Sequence, residues 1–74
     1  MNKVSLTSQV AAVQREIHQR GSVYPRLVAK GQMRQSEADL HISHMQAVLD
    51  TLEWLRANET DVRAFVAAKR EARS

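Results

Sequence analysis

The sequence has no cysteine, one proline, two glycines and three aromatic residues among its 74. Without cysteine, the chain forms no disulfide and no thiolate metal site. With so few aromatic rings, a folded core has to be built from aliphatic side chains. A chain of this length forms one small domain, which buries a modest fraction of its surface. Self-association is the natural remedy for a small domain that lacks disulfides.

Charge and long apolar runs are also scarce. The formal net charge is +3, from 11 basic and 8 acidic residues, which is mild for a dedicated nucleic-acid binder. No apolar run is long enough to cross a bilayer. The segment MNKVSLTSQVAAV does not read as a secretory signal peptide. The composition therefore predicts a soluble protein of the cytoplasm that has no membrane partner.

Apolar residues recur at helical spacing in the first part of the chain, and they predict a helix over about residues 6–30. Ser5 can serve as the N-cap, since its hydroxyl can accept from a free amide of the first turn. Gly31 is a typical C-terminal stop, and Lys30 before it suits the helix dipole. The seam consists of Leu6, Val10, Val13, Ile17, Tyr24 and Leu27.

Gly21 and Pro25 interrupt this helical pattern. The ring of Pro25 crowds the carbonyl of Gly21 and gives it no amide donor. Two outcomes are open: a continuous helix with a bend, or a break near Arg20 with Ser22 capping a new segment. The apolar register continues from Ile17 across the site, which favours the bent, continuous helix.

A second helix is predicted over about residues 37–57. Ser36 and Asp39 are spaced like a capping box at its start. A second apolar row, Val48 and Leu55, widens the apolar face beyond what one antiparallel neighbour covers. The sequence therefore predicts a dimer. The main stripe consists of Ala38, Ile42, Met45, Leu49 and Leu52.

The segment from Asn58 to Asp61 leaves two possibilities open. In the first, it ends the second helix and starts a short third one over about residues 60–71. In the second, the register 48, 52, 55, 59, 62, 66 continues as one long helix. The polar tail is expected to fray after about residue 70.

Together these patterns predict an all-α fold: a single helical domain over residues 1–74, built as an antiparallel helical hairpin in a dimeric helical bundle. We expect one set of residues to build both the core and the dimer interface. This set is Leu6, Val10, Val13, Ile17, Met45, Leu49 and Leu52.

Signals for chemistry are weak. His41 and His44 stand at i and i+3, with Glu37 one turn earlier, which is compatible with metal ligation in a metal-dependent enzyme. Two histidines do not complete a site, so surface or interface histidines are the favoured reading. The serines have no nucleophile context, and two glycines make no phosphate loop. The sequence thus predicts no enzyme, no catalytic residue, no metal and no cofactor.

Signals for binding are stronger. Tyr24 and Trp54 are residue types enriched at protein interfaces, and arginine makes forked bonds to carboxylates and phosphates. The predicted partner-binding residues are Arg20, Tyr24, Arg26, Arg34 and Trp54. An alternative is a nucleic-acid-associated or transcription-regulatory protein that uses a basic strip on the first helix. That strip consists of Arg15, Arg20, Arg26, Lys30 and Arg34.

Residues 9–55 carry a pattern that resembles a group of short phage and prophage accessory proteins of proteobacteria. The pattern reads R-E-I-x-x-R-x-x-V-Y-P-R-x-V-x-x-G-x-M from Arg15 to Met33. Its most specific part is Val23-Tyr24-Pro25-Arg26 with the later Gly31-x-Met33. The resemblance implies an accessory protein of the bacterial cytoplasm with no assigned reaction. It favours a protein that binds and modulates a host protein.

Overall fold

The computed structural model describes residues 3–73, and three helices account for most of them. They are α1 (Leu6–Ala29), α2 (Gln35–Ala57) and α3 (Glu59–Arg73). Helices α1 and α2 pack together across a short connection, and no strand occurs in residues 3–73. The predicted all-α hairpin is therefore confirmed.

Helix α1 begins where the sequence places its cap. Ser5 has an extended backbone, and its hydroxyl oxygen accepts from the amide of Ser8 at 3.1 Å. This bond satisfies one of the amides that have no partner within the first turn.

Helix α1 runs through Pro25 without a break, so the continuous outcome is the one observed. Pro25 has no N–H to offer the carbonyl of Gly21. Gly21 is exposed, which leaves that carbonyl accessible to water. The helix therefore tolerates the proline at the cost of one internal hydrogen bond.

Gly31 ends α1 in the left-handed conformation, with φ of 70°. The amide of Gln32 donates to the carbonyl of Leu27 at 2.9 Å, and the amide of Gly31 donates to the carbonyl of Val28 at 3.0 Å. This pair of bonds is the Schellman motif. It satisfies two terminal carbonyls and turns the chain towards α2.

The two glycines should respond in opposite ways to alanine. Gly31→Ala places a Cβ in the left-handed region, so we expect the free energy of unfolding to fall by about 1–2 kcal/mol. Gly21→Ala adds a Cβ that meets nothing within 4 Å in a helix interior, so we expect a gain of about 0.5–1 kcal/mol. Urea unfolding followed by circular dichroism measures both. Equal shifts in the two variants would contradict this account.

The predicted N-cap of α2 at Ser36 is wrong. The N-cap is Arg34, whose backbone carbonyl accepts from the amides of Glu37 and Ala38, each at 3.1 Å. Ser36 already lies inside the first turn, because the turn at Gly31 reverses the chain early. Asp39 completes no capping box and instead accepts from the side-chain amide of Gln35 at 2.9 Å.

The core between α1 and α2 is thin. Within residues 3–73, four hydrophobic residues are buried: Val10, Tyr24, Ala38 and Leu49. The rest of the set expected to form the core is only half-buried, namely Leu6, Val13, Ile17, Met45 and Leu52. The hairpin thus leaves much of its apolar seam partly open.

Asn58 alone separates α2 from α3, so the predicted interruption is present but only one residue long. Its amide donates to the carbonyl of Trp54 at 3.0 Å, and its carbonyl accepts from the amide of Val62 at 3.0 Å. Thirty-nine residues of helix measure about 58 Å, and the described chain is 59 Å long and about 22 Å wide. Helix α3 therefore extends the line of α2 past the hairpin.

Helix α3 is longer at both ends than the expected 60–71, since it begins at Glu59 and continues to Arg73. It has no buried residue, and it does not pack on α1. Fifteen residues of amphipathic helix thus stand beyond the end of the hairpin.

Candidate interaction surface

Tyr24 lies between the two hairpin helices instead of on a free surface. The residue is 8% exposed, and its ring centre lies 6.1 Å from that of His41 on α2, with the two planes tilted by 47°. Arg20 donates from Nη1 to the Tyr24 hydroxyl oxygen at 3.0 Å. The packed ring and the oriented hydroxyl make Tyr24 a structural residue of the hairpin.

Arg20 is tied to its own helix on both sides. Besides the bond to Tyr24, its guanidinium lies 3.3 Å from a carboxylate oxygen of Glu16. The hydrogen bond and the electrostatic interaction with the Tyr24 hydroxyl raise the pKa of Arg20 above its ordinary value, and Glu16 adds to this. Arg20 therefore stays a cation, held beside the Tyr24 ring by both interactions.

The other three residues predicted to bind a partner are exposed but lie apart from one another. Arg26 donates to the Ser22 hydroxyl at 3.3 Å, and Arg34 caps the start of α2. Trp54 is 61% exposed near the far end of α2. About 20 residues of helix, or about 30 Å, separate Trp54 from Arg34. The five residues therefore do not form one patch.

The basic residues of α1 do not form a single strip. Successive helical residues turn by about 100°, so Arg15 and Arg20 point about 140° apart. Arg26 lies close to the direction of Arg15, whereas Arg20 lies on the flank that meets Tyr24. The positive charge of α1 is therefore divided between two sides of the helix.

His41 faces the Tyr24 ring, and His44 is exposed one turn later. Among residues 3–73, no group of three His, Cys, Asp or Glu side chains is placed to hold a metal ion. His41 is itself exposed, and its ring contact with Tyr24 links α2 to α1 at the edge of the interface.

The most distinctive feature of the surface is its exposed apolar side chains. Among the residues that the structure describes, seven large apolar side chains are exposed, against four buried hydrophobic residues. The exposed set is Val4, Val23, Leu40, Val48, Trp54, Phe65 and Val66. Val48 belongs to the second apolar row that the sequence predicts. The continuation of this row onto α3 depends on the length of the junction at Asn58, where the sequence left both a break and one long helix open.

On α3, Phe65 is 63% exposed, and the Lys69 ammonium lies 5.4 Å from the centre of its ring. This cation–π contact covers one face of the ring from within the same helix. The neighbouring Val66 is 41% exposed. The overhanging helix thus combines apolar side chains with a basic end.

No protein-family model matches the sequence. No significant similarity connects it to a curated protein or to a solved structure. None of the helices within residues 3–73 combines the length and the apolar character needed to cross a membrane.

Proposed function

We propose that this protein acts through protein–protein contact: it associates with itself, and it binds and modulates a protein of the bacterial cell that hosts it. The observation that carries the proposal is the excess of exposed large apolar side chains over buried ones. Exposed apolar side chains that share one face mark interaction sites, and Val48 and Val66 point in the same direction about the common axis of α2 and α3. The resemblance to phage and prophage accessory proteins supports a host protein as the target.

Trp54 is the residue best placed to test binding of a host protein. Tryptophan is enriched among the residues that dominate binding energies, and here its side chain is 61% exposed. Tyr24 is less suitable, because its removal disturbs the hairpin. We expect Trp54→Ala to leave the helix content and melting temperature unchanged and to weaken binding about thirtyfold or more, the loss that corresponds to about 2 kcal/mol.

The experiment is affinity capture from a lysate of the bacterial host, followed by calorimetry with the purified captured protein. Arg15→Ala is the matched control, since Arg15 is exposed on α1, away from the contact with α2. Equal affinity of wild type and Trp54→Ala would contradict the role given to Trp54. A loss confined to Arg15→Ala, with nucleic acid in the captured material, would favour the basic-residue alternative.

A further inference from the structure

A second apolar stripe follows α2 and α3 beside the face that packs on α1. Leu49 faces α1 and is buried, while Val48 is turned by about 100° and is 50% exposed. The steps of three and four residues that continue from Val48 lead to Thr51, Leu55, Glu59, Val62 and Val66. Ala47, Val48, Thr51 and Leu52 line a shallow, mainly apolar groove of about 280 Å³ on this side.

The stripe stays on the same side of the helix axis across the junction at Asn58. The backbone bonds of Asn58 to Trp54 and to Val62 span four residues each, as within a helix. Val48, Leu55 and Val62 therefore recur at intervals of seven, the spacing of a coiled-coil seam. Leu55 and Val62 are half-buried, and Val48 and Val66 are exposed, so the seam has room for a neighbour.

Val48 and Val62 lie seven residues on either side of Leu55, so the centre of the stripe reads alike in both directions, whereas Thr51 has Glu59 as its counterpart. An antiparallel copy centred there puts Leu55 against Leu55, Val48 against Val62 and His44 against Val66. This centre falls within about one residue of the middle of the α2–α3 rod, so the two rods overlap along their whole length. A two-fold axis requires this kind of self-complementary surface.

Charge favours the same orientation. Glu37 lies near the start of the rod and points in the same direction about its axis as Leu55, whereas Asp39 and Asp50 are turned by about 140° or more from that direction. Arg73, at the other end, also points in the direction of Leu55. An antiparallel pairing centred on Leu55 sets Glu37 of each copy against Arg73 of the other, whereas a parallel one sets like charges together.

From this register and charge pattern, we propose that the α2–α3 rod pairs with the same rod of a second copy, antiparallel and centred on Leu55. The inference rests on the proposed function, because it names this chain as a partner of its own. The overhanging α3 of each copy then lies along the start of α2 of the other. Trp54 is turned by about 100° from Leu55, away from the seam centre, and stays available to a different protein.

Single cysteines test the register directly, because the chain has none of its own. Helices packed about 8–10 Å apart bring facing Cα atoms to about 4–6 Å, within the range of a disulfide. We expect Leu55→Cys to give a covalent dimer under mild oxidation. We expect Val48→Cys alone to stay uncrosslinked, since its two copies lie about 21 Å apart along the axis.

A mixture of the Val48→Cys and Val62→Cys variants should form mixed disulfides, which mass spectrometry identifies. A parallel dimer would instead crosslink Val48→Cys with itself. That result would overturn the proposal, as would failure of both Leu55→Cys and the mixture to crosslink. Circular dichroism of each reduced variant checks that the helices are formed.

Light scattering supplies an independent readout. The wild-type protein should show twice the 8.4 kDa chain mass. Leu55→Glu should remain helical and fall to the single mass, because it sets two carboxylates face to face at the centre. A wild-type mass of one chain would overturn the antiparallel pair. It would not bear on the binding of a host protein through Trp54, which the affinity capture and calorimetry test separately.

Discussion

Leu49→Ala should lower the free energy of unfolding by about 2–5 kcal/mol, as expected when a buried leucine is cut back. Leu49 is 8% exposed and is one of four buried hydrophobic residues in the described part of the chain, so few neighbours can shift to fill the space. Proteins of this length are stable by roughly 4–11 kcal/mol. The substitution therefore removes a large share of the total, and a melt followed by circular dichroism should show it.

Leu40→Ala is the matched control for that experiment. It deletes the same atoms from the same helix, but Leu40 is 54% exposed and lies off the α1-facing stripe. We expect a change within about 0.5 kcal/mol, typical of surface positions. If Leu49→Ala and Leu40→Ala melted alike, the placement of the core between α1 and α2 would be wrong.

Tyr24→Ala should have the second large effect, a loss of about 3–5 kcal/mol, as found when a buried large aromatic residue is reduced to alanine. The substitution removes the ring that packs against His41 and leaves Arg20 without its hydroxyl acceptor. The contact ties α1 to α2 near the turn, so its loss should loosen the hairpin where the chain reverses. Chemical unfolding measures the loss.

Tyr24→Phe separates the two contributions. It keeps the ring and deletes only the hydroxyl that accepts from Arg20, a residue whose side chain is 45% exposed and can turn to water. We expect most of the stability to remain. A loss as large as that of Tyr24→Ala would show that the hydroxyl, and not the ring, holds the helices together.

The helices were predictable because their signals are local. The spacing of Leu6, Val10 and Val13, the cap at Ser5 and the stop at Gly31 all act within a few residues. The start of α2 was not predictable in this way. Ser36 is the better capping residue by type, but the tight turn after Gly31 places Arg34 at the cap and Ser36 in the first turn.

The surface was less predictable than the helices. In the sequence, Tyr24 suits a core position somewhat better than a partner contact, and its burial between α1 and α2 shows the core position. The basic residues of α1 follow one another closely in the sequence, but the rotation of successive residues about the helix axis places them on two sides of the helix. Trp54 is exposed, as a contact residue has to be, yet no sequence pattern shows what would cover it.

Asn58 connects α2 to α3 and also sets the rotation of α3 about the helix axis. Because a single residue links the two helical segments, α3 presents its side chains at an angle fixed by the length of that link. One inserted residue would rotate Phe65 and Val66 by about 100° relative to Val48 and would break the stripe into two unrelated faces. Chain length at this point, more than the chemistry of the asparagine, determines which way the overhanging helix faces.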